Sequence, residues 1–163
     1  MSTYVIFDGD NDQWAYQYVR GWDANPKIPF SFNNSHDLNG MTSAAQNEAY
    51  VKTKLRERMK KSDSALVLIG EKTKNLYKFV RWEIDLAIEL ELPIIAVNLN
   101  NSRSQDELCP PIIRDKCVVH VPFKLRPIQH AILNWPREFK GLDLQTKAGG
   151  ARHFNDDLYR QWE

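Results

Sequence analysis

Cysteine is scarce in this chain: Cys109 and Cys117 are the two present, eight positions apart. There is no CxxC and no histidine at zinc-finger spacing, which argues against a metal knuckle or a disulfide framework and for a reducing cytoplasm. An excess of charge of either sign is also missing. Lys plus Arg total 22 against 21 for Asp plus Glu, a net charge of +1, so nonspecific nucleic-acid binding through a broad basic field is not expected. The longest apolar runs, such as 65–69 and 93–97, fall far short of the roughly 18–20 residues that a membrane-spanning helix needs. No basic segment leads into an apolar stretch before the strand-like residues 4–7, so a secretory signal is not expected either. GxxxxGK[ST], GxGxxG and GxSxG are all missing, which leaves a P-loop enzyme, a Rossmann dehydrogenase and a nucleophile-elbow hydrolase without support.

What remains is an ordinary globular composition, 42% hydrophobic and 26% charged over 163 residues, the size of about one domain. Apolar runs of strand length alternate with segments of helical period, the pattern of a parallel sheet with crossover helices on both faces. Strands are expected at 4–7, 28–32, 64–69, 93–98 and 117–121. The run 64–69 is continuous rather than alternating, which places it at the sheet centre, buried on both sides.

Helices are expected from the acidic turn at 8–12 to about 22, from 42 or 43 to about 61, at 79–91, and from 127 to about 135, where Pro136 should end the last one. In the first helix Ala15, Val19 and Trp22 form one stripe and Trp14 and Tyr18 an adjacent one, so the aromatics read as cover for a sheet face. The basic run 52–61 reads as a solvated face. After residue 140, Ala148-Gly149-Gly150-Ala151 reads as a flexible link to a short helix at about 156–162. The predicted architecture is α/β: a three-layer flavodoxin-like sheet of five mostly parallel strands in the order 2-1-3-4-5, with a domain at 1–139 and a tail at 140–163. Ligands of such sheets bind beyond the carboxyl ends of the strands, where the winding reverses.

Two features could carry chemistry there. Glu83 sits in an otherwise apolar stripe with Phe79, Leu86 and Leu90, so its carboxylate should be partly desolvated beside the expected crevice. The alternative is a first-turn glutamate favoured by the helix dipole or paired with Lys78. The second feature is Asp8-Gly9-Asp10-Asn11-Asp12, three carboxylates at the end of the first strand. They could hold magnesium, but the strands at 64–69 and 93–98 end without the further acids that haloacid-dehalogenase phosphatases or metal-dependent ribonucleases need. A receiver phosphoacceptor would stand where Gly70 is. The remaining reading is a helix-capping turn, and no metal site is expected. His36-Asp37 lacks a nucleophile partner and reads as loop chemistry or a substrate contact. His120, His130 and His153 read as structural.

The strand end Val5-Ile6-Phe7-Asp8, the polar loop after the second strand, and the run Ser64-Ala65-Leu66-Val67-Leu68-Ile69-Gly70-Glu71-Lys72-Thr73 leading into Phe79-Val80-Arg81-Trp82-Glu83-Ile84 resemble the bacterial TIR-like family. This is the branch that supplies the signal-producing TIR subunit of the Thoeris antiphage defence system. The likeness covers roughly 4–123, and its most specific piece is the aromatic-x-x-x-Glu element Phe79 to Glu83, followed by Pro93-Ile94-Ile95-Ala96-Val97. In the family the aromatic is commonly Trp; here it is Phe79, with Trp82 next to the acid.

The resemblance implies cleavage of the nicotinamide–ribose bond of NAD, giving ADP-ribose or a cyclic isomer, with NAD as substrate and no separate cofactor. It makes Glu83 the catalytic carboxylate. Phe7, Asp8, Gly9 and Asp10 would bind substrate from the first loop, His36 and Asp37 from the second, and Phe79 and Trp82 from the helix. Self-association through TIR-type surfaces and a separate effector protein that reads the nucleotide are further implications; no effector domain is expected within this chain. Two other outcomes stay open: a nucleoside 2-deoxyribosyltransferase-like enzyme, in which a similarly placed acid attacks the sugar, and a nonenzymatic signalling scaffold.

Overall fold

The computed structural model describes residues 2–24, 31–33, 48–76 and 78–163. Its sheet is built on β3 (Ser64–Ile69), whose six residues are all buried. A strand without a polar face must be covered on both sides. β1 (Ser2–Ile6) and β4 (Ile94–Asn98) flank it in parallel, pairing Tyr4 with Ala65 and Ile69 with Asn98. β2 (Ser31–Asn33) lies outside β1, and β5 (Val119–Pro122) outside β4. The expected order 2-1-3-4-5 is the observed one, extended by β6 (Arg152–His153), which pairs with β5 in parallel.

Strand alternation sorts the side chains into two cores. Val5, Phe7, Leu66, Leu68, Ile95 and Val97 face α1 (Gln13–Asp23), which contributes Ala15, Tyr16 and Val19. The helix that follows β5 packs on the same side. Tyr4, Ile6, Ala65, Val67 and Ile69 face the opposite way, onto α2 (Glu48–Met59) and α3 (Phe79–Glu89). Val51, Leu55 and Met59 at four-residue spacing bury one face of α2, while Lys52, Lys54 and Arg56 on its outer face pair with Glu48, Glu57 and Glu89. The basic run is thus a solvated face. Residues 42–47 of the expected helix lie outside the described residues, as do 28–30 of the expected second strand.

Three further expectations change. Pro136 does not stop its helix: α4 runs Leu125–Lys140 with Pro136 inside it, buried. Proline forgoes one backbone hydrogen bond, but the apolar face continues past it, with Trp135 and Phe139 rings 5.8 Å apart. Continuing the helix buries that face, which offsets the lost bond. Trp14 and Tyr18 are 51% and 59% exposed rather than core; with Trp22 they meet Phe123 at 5.6–6.0 Å between ring centroids. The segment 148–151 is no free link. The Gly149 N–H donates to the Thr146 carbonyl, closing the end of α5 (Leu144–Lys147), and the Arg152 N–H donates to the Val118 carbonyl, holding β6 beside β5, both at 2.9 Å. The expected terminal helix is α6 (Asp156–Trp162), capped by Asn155, with Tyr159 buried and Trp162 edge-on to His130. Trp135 is 2% exposed at the centre of the first core. Trp135→Ala should therefore destabilise the fold by about 3–5 kcal/mol, read as a lower urea midpoint with the cooperativity of unfolding retained.

Candidate functional site

α3 presents its buried side to the sheet, and Glu83 stands within it among Val80, Ile84, Leu86 and Ala87. The carboxyl is completely buried. Tyr4, on the same face of β1, donates its hydroxyl to Glu83 Oε2 at 2.5 Å. Oε1 is buried and has no hydrogen-bond partner among the described residues. Burial pushes the pKa up from the usual 4.5 to about 8, and the Tyr4 hydrogen bond acts against that rise. Desolvation disfavours the charged form, and no cation among the described residues compensates. Lys78, the expected surface partner, precedes the helix and is exposed.

The acidic turn is spent mostly on itself. Asp8 Oδ1 accepts from the backbone N–H groups of Asp10 and Asn11 at 3.0 and 3.3 Å, and Oδ2 from the Asn11 side chain at 2.7 Å. Asp8 is therefore a buried brace of the loop. Gly9 is half-buried and Asp10 exposed. Asp12 stands at the N-terminus of α1 but makes no side-chain cap. Its carboxylate lies instead against Gly70, where Thr73 Oγ1 accepts from the Gly70 N–H at 2.9 Å and donates to Asp12 Oδ2 at 3.5 Å. Burial first, and then the neighbouring Asp8, raise the Asp12 pKa. Among the described residues no group of three or more His, Cys, Asp and Glu side chains could hold a metal ion.

A cleft of about 400 Å³ opens beyond the carboxyl ends of β3 and β4, lined by Asp12, Trp14, Gly70, Glu71 and Asn100 among others. It occupies the crevice expected for this topology. Glu83 does not line it, so the cleft and the buried acid are separate features. Phe7 is on the opposite face of the sheet from Glu83, fully buried and stacked on Tyr16 at 4.4 Å. Phe79 and Trp82 are half-buried against the core that holds Glu83, and Lys52 Nζ lies 5.1 Å from the Trp82 ring centroid. His36 and Asp37 lie outside the described residues. His120 is buried, with Nδ1 3.5 Å from the Asn98 amide nitrogen, and desolvation lowers its pKa to about 4. His130 packs edge-on to Phe154. Both serve as structural histidines.

The sequence pattern does not single out Tyr4, and it reads Asp12 as part of a helix-capping turn rather than as the partner of Thr73. Strand parity could have found Tyr4, since it shares a face with Ile6 and hence with α3. Asp12 meets Gly70 and Thr73 across 61 residues of sequence between Asp12 and Thr73, and no local pattern announces such a contact.

The family of the Thoeris protein ThsB, TIR-like domain, matches the chain over residues 4–104. No curated protein matches it. No helix among the described residues is long and apolar enough to cross a membrane.

Two outcomes follow from this geometry. Unfolded Glu83 releases its proton near 4.5, whereas folded Glu83 holds it to about 8. Between those values the native state binds the extra proton, so this contribution to stability is complete at the acid end and is lost as pH rises through about 8. The slope is at most about 1.4 kcal/mol per pH unit. Glu83→Gln should flatten that part of the stability–pH curve in denaturant titrations and leave the variant the more stable protein near pH 8. A Cβ on Gly70 would collide with the Asp12 carboxylate; Gly70→Ala should cost about 1–3 kcal/mol, measured in the same titrations.

Proposed function

The chain belongs to the family of the Thoeris protein ThsB, TIR-like domain, a domain of antiphage defence, and we propose that it cleaves the nicotinamide–ribose bond of NAD with Glu83 as the catalytic carboxylate. The observation that carries this reading is the fully buried acid with one oxygen bound by Tyr4 and the other unpartnered. When the C–N bond breaks, nicotinamide leaves with the bonding pair and the ribose becomes oxocarbenium-like. A carboxylate held in a water-poor setting stabilises that positive charge far better than one in bulk solvent. Water then adds and loses a proton to give ADP-ribose, or a nucleophilic atom of the same molecule closes the ring to give a cyclic isomer. NAD is the substrate, and the reaction needs no separate cofactor.

Burial and charge also set the working state of the acid. With its pKa at about 8, Glu83 is mostly protonated at neutral pH in the free protein. The positively charged nicotinamide ring favours the ionised form on binding. In this reading Gly9 and Asp10 at the end of β1, Phe79 and Trp82 on α3, and His36 and Asp37 contact substrate. Asp8 braces the turn that carries the first pair, and Phe7 supports it from the other side of the sheet. The nucleotide product is read by a separate effector protein in the cytoplasm, and self-association of the domain accompanies activity.

The test is chromatography with mass detection of concentrated protein incubated with NAD, beside Glu83→Gln. Wild type should release nicotinamide together with an ADP-ribose-mass or water-lost product, and the variant should lose at least ~10²–10³-fold in rate. The rate constant kcat/KM should rise with pH to a plateau above about 8. No consumption of NAD by wild type, even with lysate from phage-infected cells added, defeats the proposal. Base exchange on deoxynucleosides with NAD untouched would instead establish the deoxyribosyltransferase reading.

A further inference from the structure

The hydrogen bond between β1 and α3 divides the two oxygens of Glu83. Oε2 is taken by a phenol that is itself completely buried, at a length of 2.5 Å. Oε1 has no partner among the described residues. A buried carboxyl ordinarily satisfies both oxygens, because an orphaned one costs the full desolvation of that atom. Here one oxygen is locked and the other left over. The lock is also rigid. Tyr4 sits in the middle of β1, paired on one side with Asn33 and on the other with Ala65, and Glu83 is in the second turn of α3, packed between Val80 and Ala87. The phenol therefore fixes the carboxyl plane relative to the sheet with little freedom in either partner.

We propose that Tyr4 is a positioning residue for Glu83: its hydroxyl holds Oε2, so that Oε1 is the oxygen presented to the reacting sugar. The proposal rests on the assignment of Glu83 as the catalytic carboxylate. A second consequence follows from the donor's chemistry. Donation into the carboxylate stabilises its charged form against the burial that opposes it, so Tyr4 also sets the pH at which the carboxylate becomes available. Among the described residues no cation stands beside the acid, and the Tyr4 phenol donates to its carboxyl at Oε2.

Tyr4→Phe removes the hydroxyl and keeps the ring. The first measurement follows the protonated-carboxyl C=O infrared band that Glu83→Gln abolishes, titrated in wild type and in Tyr4→Phe. Its midpoint should move to higher pH in the variant. At neutral pH nicotinamide release from NAD should fall roughly tenfold for each pH unit by which the midpoint rises, through kcat rather than KM, and should recover in part at alkaline pH. A tyrosine that only fills space would leave the midpoint and the pH profile where they are, and that result overturns the proposal. If Tyr4→Phe does not fold, as judged by its circular dichroism melt, 3-fluorotyrosine placed at position 4 gives the opposite test. As a stronger donor it should lower the midpoint, and an unchanged midpoint again overturns the proposal. The infrared reading does not depend on NAD. A shifted midpoint in a protein whose wild type leaves NAD intact would support the Tyr4–Glu83 pairing while defeating the NAD assignment.

Discussion

Everything in this molecule is arranged around a strand that has no polar face. The six residues of β3 are buried in full, which requires a helical layer on each side and a neighbouring strand along each edge. Those demands fix the parallel order around it, place α1 and α4 on one face, and place α2 and α3 on the other. Once α3 is pressed onto the sheet opposite β1 and β3, the residue one turn after Phe79 is directed into the interior. In this chain that residue is Glu83, and the cost of burying an acid there is reduced by keeping its proton on and by the Tyr4 hydroxyl.

The same geometry separates two chemically different places. At the carboxyl ends of β3 and β4 the cleft is open and mixed in charge, with Glu71 and Lys72 in its lining, Asp12 set against Gly70 and Trp14 at its rim. Beneath α3 the described residues are mostly apolar, and the Glu83 carboxyl meets the Tyr4 phenol among them. An acid that must stabilise a transient cation is better served by the second place, where few water dipoles compete with it. The open cleft and the buried acid are linked through β1, whose middle carries Tyr4 and which leads into the acidic turn that Asp8 braces.

Much of this is written in local pattern. The uninterrupted run of residues 64–69 announces the sheet centre, and the intrusion of Glu83 into an apolar helical stripe announces a desolvated acid. Alternation along β1 already separates Tyr4 from Phe7, because residues an odd number apart on a strand face opposite ways; a reading by loop position alone groups Phe7 with the wrong side. Other features depend on contacts distant in sequence. Asp12 has the composition of a helix cap, and only the arrival of Gly70 and Thr73 turns its side chain elsewhere. Pro136 has the composition of a helix stop, and only the packing of Trp135 and Phe139 carries the helix through it. The two exposed residues of β6 have no strand signature at all and become a strand because the Val118 carbonyl is there to receive the Arg152 N–H.

That last pairing bears on how copies of the chain can meet. A bare β5 would offer a row of unpaired backbone donors and acceptors, a template for any passing strand. Residues 152–153 cover part of that row, and the helix after them is anchored by buried Tyr159 and by the contact of Trp162 with His130. A strand added from this side would have to pair with the two-residue outer edge of β6 or first displace the carboxyl-terminal segment, so the backbone template left on this flank is short.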